Sequence, residues 1–142
     1  MDYKFSKICI VVSDFYKKMS DDLLDNCFNQ LKEQGIDHIK ILRVPGCLEL
    51  PYAIKKVIDK DMFNAVIALG IVIKGETYHF ECVSNETVRG ITELNLLGDI
   101  PVVAGILTCN TKEQAEERIY EKNKGKEFAK TALKMLEINK TY

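Results

Sequence analysis

Short β-branched runs alternate along this chain with longer stretches in which apolar residues return every three or four positions. The first run, Ile8 to Val12, is apolar throughout and ends in Ser-Asp, the pattern of a strand buried on both faces before a turn. From about Ser20 to Gln34 the apolar positions Leu23, Leu24, Cys27, Phe28 and Leu31 have helical spacing, and Gly35 is placed to stop the helix. The alternation then repeats. IKILRV (39–44) reads as a strand, Leu50 to Ile58 as a helix, AVIALGIVI (65–73) as a long buried strand, and Val83 to Leu97 as a helix with Gly98 at its end. IPVVAGIL (100–107) is the fourth strand, Asn110 or Thr111 can cap the helix KEQAEERIYEK, and Lys126 to Leu136 makes the last helix.

Strands that alternate with helices imply crossover connections and a mainly parallel sheet covered on both sides. The expected fold class is therefore α/β, a three-layer α/β/α sandwich formed by residues 1–142 as a single domain. Ligands of such sheets bind beyond the carboxyl ends of the strands. The segments in which to seek chemistry are SDFYK, PGCLELP, KGETYHFE and TCNTKEQ.

Composition narrows the choice of ligand. With 20 basic against 21 acidic residues and no long like-charge run, nothing favours nucleic acid or an anionic membrane surface as a partner. The 5 cysteines are spread evenly without a C-x-x-C pair and read as free thiols of a reducing compartment. The start, MDYKFSK, leads into ICIVV, too short a run for a signal-peptide core, and no later run reaches membrane-spanning length. The expectation is a soluble cytoplasmic protein acting on small molecules or binding protein partners.

One strand end carries most of the chemistry. GIVIKGET (70–77) nearly matches the phosphate-cradling loop G-x-x-x-x-G-K-[ST], with Glu76 where that loop has lysine. The residues between its glycines include Ile71, Val72 and Ile73, which favour extended backbone, so the strand runs on between the glycines instead of wrapping a phosphate. Gly75, Glu76 and Thr77 lie where a strand turns into a helix, and N–H groups at a helix start favour anions. His79 follows directly, an imidazole suited to proton transfer near neutral pH. His38, in a polar turn before the second strand, reads as surface.

The other strand ends are less telling alone. In PGCLELP (45–51) two prolines stiffen the backbone around Gly46 and Glu49, and Glu49 is equally suited to sit at the positive end of the next helix. Phe15 follows the first strand as a core residue or an aromatic platform. Arg118 lies in a helix, as a solvated partner of Gln114 or Glu121 or as a fork for phosphate.

Four segments together, VPGCLELP, ALGIVIKGETYHFECV, PVVAGILTCNTKEQAEER and NKG, resemble the lumazine synthase family in order and spacing over nearly the whole chain. The resemblance implies a flavodoxin-like four-stranded parallel sheet of order 2-1-3-4, and homopentamers, possible units of a larger shell, with active sites between adjacent subunits. It implies a transferase of riboflavin biosynthesis that condenses 5-amino-6-(D-ribitylamino)uracil with 3,4-dihydroxy-2-butanone 4-phosphate, and it implies no metal or organic cofactor. By the same resemblance His79 is the proton-transferring histidine. Glu76, Thr77 and Arg118 bind the phosphate, and Phe15 stacks on the pyrimidine. Cys47, Leu48 and Glu49 line the ribityl-pyrimidine pocket with Ile71, Val72 and Ile73, and Ala104 belongs to the wall contributed by a neighbouring subunit.

The chain departs from the family pattern in places. Tyr16 stands where asparagine is common, Ala104 where a larger, often aromatic residue is usual, and IYEKNKG is about two residues shorter than in many members. The N-terminal arm is also short. Rival readings fare worse on the residues: the archaeal-type riboflavin synthase family lacks the G-E-T-x-H arrangement. A receiver-type signalling module would need an acidic cluster after the first strand and an aspartate after the third, where this chain offers Asp14 and then Gly70 to Lys74. A shell-forming protein without activity has only Ala104 in its favour.

Overall fold

A computed structural model describes residues 2–142, so Met1 of the expected domain lies outside the described residues. Four strands, β1 (Lys7–Ser13), β2 (His38–Val44), β3 (Ala65–Ile73) and β4 (Val102–Cys109), pair in parallel in the order β2-β1-β3-β4. The central strands β1 and β3 are buried almost throughout, as their unbroken apolar runs require, and they pair from Ile8 opposite Ala65 to Val12 opposite Leu69. β3 is long enough to reach beyond β1, and its last residues pair with β4 alone, Ile73 opposite Cys109.

Side chains on successive residues point to opposite faces, so each strand feeds two cores. On one face Ile8, Ile10, Ile67, Leu69 and Leu107 pack under α1 (Lys17–Glu33) and α5 (Lys124–Thr141). On the other, Cys9, Val11, Val66, Ala68 and Val72 pack under α2 (Leu50–Asp59) and α3 (His79–Leu97). The three layers and strand order are those the resemblance implied.

Helix boundaries differ from the expectations in informative ways. Helix α1 starts at Lys17, three residues before its expected start, and Gly35 follows its end with φ +95°, a conformation L side chains rarely adopt. Helix α3 begins at His79 and not at Val83, so the histidine opens the helix. The helix expected over KEQAEERIYEK is a short α-helix, α4 (Lys112–Glu116), that widens into a π-helical turn over Glu117–Glu121. Of the two candidate caps Thr111 is the one used: its hydroxyl accepts from the Gln114 N–H at 3.1 Å, while the Gln114 carboxamide accepts from the Asn110 N–H at 2.7 Å. Helix α5 starts at Lys124, with Asn123 capping Lys126 from a left-handed conformation.

Candidate active site

The glycines of GIVIKGET serve different ends. Gly70 lies inside β3, where a Cβ would come within 2.5 Å of the Cys47 sulfur; it is glycine because the loop after β2 packs directly on the strand. Gly75 lies beyond the strand with open space around its Cα, so backbone there is accessible to a ligand. The strand thus continues through Ile71, Val72 and Ile73, as their β-branched side chains predict, and the segment does not wrap into a phosphate loop.

The loop after β2 forms a single 3₁₀ turn over Cys47–Glu49 before Pro51 enters the first turn of α2. Glu49 is positioned as the helix cap, yet its side chain bonds no cap N–H; the carboxylate instead lies over Gly46, where an added Cβ would meet Oε1 at 3.0 Å. Cys47 is buried against β3, with Sγ 4.0 Å from the Ile71 carbonyl. Burial raises its thiol pKa, only partly offset by hydrogen bonding to Ser13 and Ile71. The group is a neutral, apolar wall at physiological pH and not a nucleophile.

Beyond β1, Phe15 is 71% exposed, an unusual placement for a large ring next to a buried strand. Tyr16 packs against the core and meets Phe15 edge-on, with centroids 5.0 Å apart and planes at 79°. The aromatic residue at this departure from the family pattern thus supports the exposed ring. The same loop is tied to β2 by Arg43, whose Nη1 lies 2.8 Å from both Asp14 and Asp21.

These segments converge on one cavity of about 390 Å³ at the carboxyl ends of β1 and β3. Phe15, Cys47, Leu48, Glu49, Ile71, Val72, Ile73, Thr77 and His79 all line it. The size suits a small-molecule ligand, and the lining has the mainly apolar character with few polar groups that such sites show. At its mouth the His79 N–H donates to the Thr77 hydroxyl at 3.4 Å, which fixes the turn into α3. Tyr16, Gly46, Gly75, Phe80 and Val83 also line the cavity. Phe80 and Val83 are three positions apart on the helix that His79 opens, a spacing readable once the helix start is placed correctly.

Three of the expected residues lie elsewhere. Glu76 is exposed on the same turn but outside the lining. Ala104 is exposed on the edge strand β4 and faces a separate groove with Val102, Phe128 and Met135. Arg118 sits at the start of the π-helical turn with Nη1 donating to the Gln114 carbonyl at 3.1 Å, and its charge lies near the Cys109 thiol at the end of β4. Arg43 and Arg89 are paired with carboxylates, whereas Arg118 has no ion pair among the described residues. A half-buried guanidinium without a carboxylate is a ready partner for an external anion.

Comparison with known proteins gives this arrangement its context. Residues 6–140 match the family model of 6,7-dimethyl-8-ribityllumazine synthase. The chain belongs to that family. It is 43% identical over 136 residues to the 6,7-dimethyl-8-ribityllumazine synthase of Nitrosospira multiformis, covering 94% of this chain and 84% of that one. Enzymes of the same name from Kosmotoga olearia and Laribacter hongkongensis are 42% and 41% identical, over 94% and 96% of this chain and 88% of each relative. The chain is accordingly an enzyme of the lumazine synthase type, a transferase of riboflavin biosynthesis. Among the described residues, no helix is long and apolar enough to cross a membrane.

Proposed function

We propose that this lumazine synthase family member condenses 5-amino-6-(D-ribitylamino)uracil with 3,4-dihydroxy-2-butanone 4-phosphate to give 6,7-dimethyl-8-ribityllumazine, phosphate and two waters. The observation that carries the reading is the cavity itself, which sets an exposed ring, an apolar wall and one imidazole around a single space. In the order the chemistry requires, the pyrimidine's primary amine attacks the butanone carbonyl and water leaves to give an imine. Proton removal then expels phosphate, and the ribityl-bearing nitrogen closes the ring with loss of the second water. Each step needs a proton moved at a carbon or nitrogen, and His79 is the group in the lining suited to move it near neutral pH. Phe15 offers its face to the pyrimidine, and Cys47, Leu48, Glu49 and the strand end Ile71, Val72 and Ile73 form the remaining walls. Holding two substrates in reacting geometry supplies much of the rate in such a condensation, which suits a site with few reactive side chains.

The phosphate belongs at the Glu76–Thr77 turn and Arg118. Because Arg118 and Ala104 lie outside the cavity of their own chain, the complete site takes them from an adjacent copy, and the functional unit is a homopentamer in which each site lies between neighbours. Exposed Leu96 and Leu97 at the end of α3 support burial against another subunit. The five cysteines are all free thiols, which supports a cytoplasmic location.

Purified protein given both substrates is expected to yield a product with lumazine absorbance and fluorescence. Formation no faster than the uncatalysed background would overturn the assignment.

A further inference from the structure

We propose that Tyr120, Asp22 and Asn26 form a clamp between α1 and the π-helical turn that positions Arg118 for the phosphate-bearing substrate. The inference rests on the assignment of Arg118 to phosphate made above. π-helical turns are rare, their wide hydrogen bonding is strained, and they persist where neighbouring contacts hold them, often at functional sites. Here the turn closes with the Lys122 N–H donating to the Glu117 carbonyl at 3.0 Å, and Arg118 is its second residue.

Three contacts hold the turn from outside. The Tyr120 hydroxyl donates to Asp22 Oδ2 at 2.5 Å, across 98 residues of sequence. The Asn26 carboxamide, one turn further along α1, donates to the Ile119 carbonyl at 3.3 Å. Ile119 itself is fully buried in the core beneath α1 and α5. The residues that follow Arg118 are therefore fixed by a side-chain bond, a backbone bond and packing, while its own Nη1 is held by the Gln114 carbonyl on the preceding turn. Protonation states favour the first bond. Asp22 is kept ionised by hydrogen bonds from Lys18 and Tyr120, and the bond to Asp22 raises the phenol pKa, so it remains a donor.

The chain after the turn leaves little freedom, which is where such a clamp acts. Asn123 turns the chain at φ +49°, and Gly125 brings α5 against α1 so closely that a Cβ would lie 2.6 Å from the Leu23 carbonyl. Only Lys122 and Asn123 separate the turn bearing Arg118 from α5, and α1 supplies the partners that hold it.

The test compares Tyr120→Phe, Asp22→Ala, Asp22→Asn and Arg118→Ala in the assembled enzyme. Steady-state kinetics are measured for each substrate separately, together with inhibition by inorganic phosphate. Tyr120→Phe and Asp22→Ala are expected to raise KM for the butanone phosphate, and the inhibition constant of phosphate, about 3- to 10-fold, the scale of one lost hydrogen bond. KM for the pyrimidine and kcat should stay near the parent values. Asp22→Asn retains an acceptor for the phenol and should restore the parent KM. If Arg118→Ala weakens phosphate binding while Tyr120→Phe and Asp22→Ala do not, the clamp is overturned and the phosphate role of Arg118 stands. Equal rises in both KM values for the clamp variants would also overturn it, as general loosening. If Arg118→Ala changes neither phosphate measure, the assignment of Arg118 fails and the clamp with it.

Discussion

In the proposed reaction His79 and Arg118 have chemically separable parts, and single substitutions should show it. His79 lines the cavity and is the proton carrier of the proposed reaction, so His79→Ala is expected to lower kcat on the order of 10²-fold, at the small end of what general acid–base groups supply. Arg118 is proposed to bind a group present in the ground state, so Arg118→Ala should instead raise KM for the phosphate substrate about 10- to 100-fold, as loss of a charged hydrogen-bonding partner does. The two effects, measured with each substrate varied in turn, would exchange if the assignments were reversed. His79 could be singled out in the sequence because it follows directly on a strand end and the G-E-T turn, and the structure brings it into the cavity lining. Arg118 was not legible from the residues alone. Its i−4 partner Gln114 fitted an ordinary surface role, and what distinguishes it, the lack of a carboxylate partner among the described residues where Arg43 and Arg89 have theirs, is a fact of three dimensions.

At the scale of elements, strands were read more closely than helices, and the reason lies in their composition. AVIALGIVI is bounded by polar residues on both sides, so the ends of β3 coincide with the ends of the apolar run. The start of α3 was missed because GETYHF contains no apolar periodicity; the helix gains buried residues only from Val83 onward. The π-helical turn was beyond reach, since ERIYE has the composition of a regular helix and its contacts to α1 join residues 93 and 98 positions apart. A similar dependence on distant contacts governs Gly70. The strand assignment was right, but only the fold shows that the glycine accommodates Cys47 packed across β3. Gly70→Ala should therefore destabilise the protein by about 1–3 kcal/mol, the range of overpacking in a filled core. In a Cys47→Ala background the added methyl has room where Sγ was, so the same substitution should cost clearly less. A double-mutant cycle from urea midpoints checks this, and additive costs would show that the clash with Cys47 is not the cause.

At the scale of the whole molecule, the two cores place ionisable groups where water does not reach, and this gives the stability a pH dependence. Burial raises the Cys27 thiol to about 12 and the Cys9 thiol to about 11, the latter despite some opposing attraction from Lys40. In the unfolded chain both ionise near the ordinary value of 9.0. Below pH 9 both states hold these protons and the thiols contribute no pH dependence. Above it the unfolded chain releases protons that the folded chain keeps, so stability falls as pH rises toward 11 and 12. At pH 10 each thiol should account for about 1 kcal/mol of that loss relative to pH 8. The measurement is the urea midpoint in reducing buffer at pH 8 and pH 10, for the parent and for Cys27→Ala. The variant should be less stable at both values, because it leaves a cavity under α1, yet its midpoint should change less between them. An equal change in the two proteins would show that the Cys27 thiol does not carry the alkaline loss. A smaller change in the variant would trace that part of the loss to the Cys27 thiol on the buried face of α1, where the fold holds a neutral sulfur that the unfolded chain gives up to solvent.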